Sequence, residues 1–233
     1  MVSRKRVACC ILVLVAIFSI GDGSLAKEEQ RVEERIRDAV LAIREIKDQP
    51  DAEGMISLLR QAKGVAIFPS VIKVGFGLGG QYGTGILLSK DEQGDWYGPS
   101  FIDIKGISYG WQIGYQSVAL VMVIANERGM ENFKDGNLKL GGDISIAAGP
   151  MGRRGEVGTD LKLESSVYSY SMARGLFAGI SLDGSLISNE QDMNRHYWGR
   201  KSANQIFSEK VEDPRVLALI SEIETLISST KPE

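Results

Sequence analysis

The chain has 233 residues, is 43% hydrophobic and 24% charged, and carries a formal net charge of -3. That size and apolar fraction suit one globular domain with small appendages, and exclude a disordered or fibrous chain. The acidic balance argues against bulk nucleic-acid binding, which needs a basic face.

The N-terminus reads as an export signal. Arg4, Lys5 and Arg6 precede an uncharged apolar run, Val7 to Ile20, and Ser24-Leu25-Ala26 puts small residues at a signal-peptidase spacing. Residues 1–26 are therefore expected to be removed, with cleavage after Ala26. The apolar run falls short of the about 20 residues of a spanning helix. Cys9 and Cys10 sit at its start, behind the basic residues, which does not fit a lipidation site. Cleavage would remove both cysteines, leaving no disulfide, thiolate metal site or cysteine nucleophile. It would also remove three basic residues against one acid, making the remainder more acidic. The expected destination is the periplasm or the outside of the cell, with peripheral attachment to a membrane.

Residues 27–62 read as a helical hairpin. Val32, Ile36, Ala39, Val40, Ile43 and Ile46 recur at three- and four-residue steps, Pro50 interrupts, and Asp51 is placed to cap a second helix over 52–62. The apolar face packs on the domain or, through Ile36, Val40 and Ile43, lies in a membrane interface. From Gly64 to Gly199 the texture changes: 24 of the 27 glycines lie there, punctuating short β-type segments. These are 65–68, 73–79, 83–89, 100–106, 107–115, 120–125, 143–149, 167–172 and 176–187. Glycine within strands lets backbones or rings approach closely, so the pattern predicts a curved sheet or closed barrel. Helix returns at 204–207, and then after Asp213-Pro214, a cap followed by proline in the first turn. Val216, Leu217, Ile220, Ile223 and Ile227 give that last helix an apolar stripe. The class is α+β: a curved, glycine-rich, mainly antiparallel sheet or barrel-like core with N- and C-terminal helices.

Two motifs suggest chemistry and lack its context. Gly75-x-Gly77-x-x-Gly80 matches a dinucleotide loop, but a strand-like segment follows it where a helix is needed. Gly106-Ile107-Ser108-Tyr109-Gly110 matches a nucleophile elbow, with His196 downstream, giving a serine-hydrolase alternative. Trp111 to Gln116 alternates as a strand there, against that reading. One histidine and scattered Asp143, Asp160 and Asp183 argue against a metal, and no cofactor is expected. Basic residues beside glycine turns, Arg153, Arg154 and Arg174, with Arg200 and Lys201 after Gly199, suit phosphate oxygens.

The ordered set of motifs resembles the SYLF domain family. It comprises Ala62-Lys63-Gly64 through Pro69, Gly75 to Gly80, Trp96 with Pro99 and Phe101, Ser108-x-Gly110-x-Gln112-x-Gly114, Gly141-x-Asp143 through Arg153, Tyr168 to Ser171, Gly175 to Ser185, and Asn194, Tyr197 and Gly199. Trp96-Tyr97 departs from the Trp-Ser that is frequent in the family. The resemblance covers about residues 35–226 of a single domain at 27–233. It implies a non-enzymatic module that binds anionic phospholipid or phosphoinositide-type headgroups on a membrane surface. Lys63, Lys73, Arg153, Arg154 and Arg174 are the candidate lipid-binding residues. A structural or partner-binding scaffold, with an envelope protein as partner, is the alternative. Actin, a partner of fungal and animal members, is not expected for an exported chain.

Overall fold

The computed structural model describes residues 4–47, 49, 52–149, 165–173, 176–177 and 181–229, with side-chain surroundings for all of these but 4–24, 76–78, 108–114 and 176–177. Helices α1 (Arg4–Lys47) and α2 (Glu53–Gln61) lead into two long strands, β1 (Gly64–Lys90) and β2 (Trp96–Ile124). These form one antiparallel hairpin whose register runs from Gly64↔Ile124 to Lys90↔Trp96. Then follow α3 (Glu127–Asp135), β3 (Asn137–Lys139), β4 (Ile146–Ala148), β5 (Val167–Ala173), β6 (Leu176–Phe177), β7 (Leu186–Asn189), α4 (Gln191–Trp198), α5 (Ala203–Ile206) and α6 (Pro214–Ser228). The expected α+β class, with a curved and mainly antiparallel sheet between terminal helices, is what the chain adopts. One pairing, β4 with β5, is parallel.

The sequence divides β1 and β2 into three short strands each; the structure joins them. The joined strands carry register shifts at Phe68/Val71, Gly75/Gly77 and Leu87/Ser89, of which the middle one falls on glycines. Gly85 shows why the hairpin curls. A Cβ there would lie 2.5 Å from the Ile67 carbonyl oxygen and 2.6 Å from the Phe68 ring, so two parts of β1 pack directly together. Gly149 likewise lies flat against the Tyr170 ring, leaving no room for a side chain.

The other strands reach only the ends of the hairpin. β5 pairs with Ala119–Ile124 of β2, and β7 pairs with Ile102–Lys105. Those ends are covered on both faces. Val65, Ile67, Ile86, Leu88, Val121 and Val123 face a core shared with α1, α2 and α6. The alternate residues, Ala66, Phe68, Leu87, Leu120, Met122 and Ile124, face a second core with Met130, Phe133, Leu138 and Ile187. This is the strand period of two, buried on both sides.

The termini follow local rules. The Asp213 side chain accepts from the Arg215 N–H at 2.8 Å, capping α6 as expected, with Pro214 in the first turn. The buried stripe of α6 is Val216, Leu219, Ile223 and Leu226; Leu217, expected inside, is exposed, and Ile220 and Ile227 flank the core. Asp51 lies outside the described residues, and Ala52 holds the N-cap position of α2. Among the described residues no helix is long and apolar enough to cross a membrane.

Candidate functional site

The structure distributes the expected site residues unevenly. Ile36 and Ile43 are buried in the core beneath α6, and Val40 packs against the same cluster. The interfacial reading of this face is therefore corrected: its apolar groups are already covered by the domain. Lys63 Nζ lies 3.0 Å from Glu127 and 3.6 Å from Glu92, so its charge is engaged, and the Glu127 hydrogen bond raises its pKa. Lys73 lies on β1 opposite Gln116. Partial burial lowers its pKa, and no described carboxylate forms an ion pair with it. Arg153, Arg154 and Arg174 lie outside the described residues.

Neither chemical motif acquires its required frame. Gly75, Gly77 and Gly80 lie inside β1, which continues to Lys90, so no helix N-terminus follows them. Ser108 lies inside β2, paired with Gly79, and no helix follows until Glu127. His196 is on α4, its Nε2 3.1 Å from Glu29 of α1. The strand–turn–helix of a nucleophile elbow is not formed at Ser108. Among the described residues no three His, Cys, Asp or Glu side chains cluster to hold a metal.

What sequence reasoning missed is the middle of the hairpin. Ile107 and Tyr115 are 68% and 69% exposed, and Ile72, Val74 and Tyr82 are exposed too. Val74 lies opposite Tyr115 in the ladder, with Ile72 two residues along. Ile107 lies opposite Gly80, and Tyr82 opposite Lys105, whose ammonium stands 6.0 Å from the Tyr82 ring centroid. Both stretches, 74–82 and 106–116, contain no charged residue, and lysines flank them at 73 and 105. Lys105 is paired with Asp103 at 2.9 Å. The signal in the sequence was the loss of charge along with aromatic enrichment, including Phe76, Tyr109 and Trp111. It read simply as strand.

Several motif residues instead fasten the helices to the sheet. Asn194 clamps the Phe101 backbone, accepting from its N–H and donating to its carbonyl, both at 2.8 Å. Tyr197 packs edge-on against Phe101, with centroids 5.5 Å apart, and donates to Asp213 at 2.9 Å. The Trp96 indole donates to Glu224 and the Trp198 indole to the Pro99 carbonyl. Arg215 joins Asp213 to Glu29, and its guanidinium is the main group holding both carboxyls below their usual range. Arg31 and Arg35 reach Glu190, each at 3.0 Å. All these α1 contacts lie after Ala26, as does Val32, the first buried residue among those of α1 whose surroundings are described.

Together these features define a helix-flanked module built on one curled, glycine-rich hairpin. The Ysc84 family, described as "Las17-binding protein actin regulator", matches residues 105–226, just over half of the chain. The chain belongs to this family, which is that of the SYLF resemblance. It is 40% identical over 150 residues to the SH3 domain-containing YSC84-like protein 1 of Bos taurus, a match covering 64% of this chain and 44% of that protein. It is 36% identical over 162 residues to the SH3 domain-containing protein PJ696.02 of Schizosaccharomyces pombe, covering 68% and 37%. It is 34% identical over 161 residues to Protein YSC84 of Saccharomyces cerevisiae, covering 67% and 34%. The matched part is thus less than half the length of each relative. The family's description is that of a regulator, not of an enzyme.

Proposed function

We propose that this chain is a non-enzymatic module that docks on anionic membrane surfaces through the middle of the β1–β2 hairpin. The observation that carries this reading is a hairpin covered on both faces at its ends, with Ile72 exposed between them and Val74, Tyr82, Ile107 and Tyr115 exposed there in two stretches that contain no charged residue. Aromatic and aliphatic side chains there enter the interface, where Tyr and Trp are favoured. Lys73 supplies a cation at the edge of this surface, worth about 1 kcal/mol near anionic headgroups. Vesicle co-sedimentation tests it. Binding is expected to phosphatidylcholine vesicles containing phosphatidylserine, and not to phosphatidylcholine alone at physiological salt. Ile107→Ser with Tyr115→Ser should weaken binding by about tenfold or more, given about 1.5–3 kcal/mol for each large apolar side chain buried. Lys73→Gln should weaken it by about fivefold. Equal, negligible sedimentation with both vesicle types would refute the reading.

A second reading is a protein-binding module, favoured by the family's description as a Las17-binding actin regulator. It predicts no response to vesicles and co-sedimentation of the chain with actin filaments.

A further inference from the structure

Beside α4, away from the residues of the hairpin surface, lies a cleft of about 520 Å³. Its lining includes Arg195, Arg200 and Lys201 and no acidic residue. Lys201 is spoken for by Glu209 at 2.8 Å and the Trp198 ring. Arg195 and Arg200 are exposed and form no ion pair among the described residues. Ser100 and Asn189 also line the cleft. Ser100 is 1% exposed, yet its hydroxyl has no hydrogen-bond partner among the described residues; Asn189 Oδ1 is likewise buried and unpartnered among them. Buried polar groups are normally paired, so two unpaired atoms beside a cleft call for an explanation, of which a bound water, ion or ligand is one. Asn194, on the same wall, is fully used by the Phe101 backbone and fixes that wall in place.

We infer that this cleft is a binding site for a phosphate monoester with a neighbouring hydroxyl. Arg195 and Arg200 offer forked donors that match phosphate oxygens. The Ser100 hydroxyl donates one further hydrogen bond, and Asn189 Oδ1 accepts from a ligand hydroxyl. The volume is in the range of small-ligand sites. Gly199, at φ +71° and with open space where a Cβ would stand, lets the chain turn beside the cleft without a side chain blocking it. The inference uses none of the exposed residues at the middle of the hairpin, although Ser100 lies on β2, and stands independently of membrane docking.

Two sources carry this chemistry: a soluble polyol phosphate and a lipid headgroup. Calorimetric titration of the full chain with glycerol 3-phosphate, alongside sedimentation with phosphatidylcholine vesicles containing phosphatidic acid, separates them. Arg195→Gln with Arg200→Gln, both at exposed positions, should keep the wild-type melting temperature and weaken binding by about tenfold or more. Ser100→Ala should weaken it in the same assay. Saturable glycerol 3-phosphate binding that depends on the arginines assigns a soluble ligand. Arginine-dependent binding to phosphatidic acid vesicles alone assigns a headgroup. Absence of binding in both arms, or binding unchanged in the double arginine variant, overturns the inference.

Discussion

Gly85 carries much of the curvature of the sheet. Its missing side chain is what allows the Ile67 carbonyl and the Phe68 ring to sit against it. Gly85→Ala should therefore destabilise the fold by about 2 kcal/mol or more, as overpacking does in a core that cannot yield. Chemical denaturation measures this; a wild-type midpoint would show that the two parts of β1 can separate freely. Glu29 offers a different kind of test. Arg215 first, and His196 second, hold its carboxyl below the usual range, and Arg215 does the same to Asp213. Both groups have lower pKa values folded than unfolded. Their contribution is present above the unfolded values and lost as pH falls through the folded ones. The melting temperature should thus fall on acidification below about pH 4, and Glu29→Gln should flatten that fall. An unchanged slope in the variant would remove Glu29 from the linkage.

The helices and the hairpin differ in how far they can be read from sequence. The cap at Asp213-Pro214 was legible because Asp capping and Pro in the first turn are local chemistry. The inner face of α1 was legible as a stripe, but whether domain or membrane covers Ile36 and Ile43 depends on where α6 packs. Helices α3 and α4 span 9 and 8 residues, too short for a full periodic signal, although Asn126 and Gly136 mark the two ends of α3. The long strands were hidden by their own glycines. Locally, 73–79 and 107–115 read as separate short segments with gaps at 69–72, 80–82 and 116–119; pairing each strand with its neighbour carries the strands through those gaps. Exposure of Ile107 and Tyr115 was equally out of reach. An apolar strand reads the same bare or covered, and among the described residues β5 and β7 pair with β2 only at 119–124 and 102–105, short of this part. Lys63 and Lys73 were both candidates from the sequence, and the engagement of Lys63 by Glu127 and Glu92 required the fold.

At the level of the molecule, helices and small strands bury both ends of one hairpin and leave Ile72, Val74, Tyr82, Ile107 and Tyr115 exposed at its middle. The family's helices and motif residues hold that hairpin in place: Asn194 on Phe101, Tyr197 on Asp213, and Trp96 on Glu224. The central claim is that the hairpin middle enters an anionic bilayer. Cys9 and Cys10 are the only cysteines in the chain, so replacing both by serine allows one labelled thiol to be placed at will. An environment-sensitive fluorophore on Ile107→Cys is compared with the same label on Leu217→Cys, exposed on α6. With phosphatidylserine-containing vesicles, the label at position 107 should shift to the blue and become quenchable from within the acyl layer, while the label at position 217 stays in water. A label at position 107 that remains in water when the protein is vesicle-bound would contradict the account.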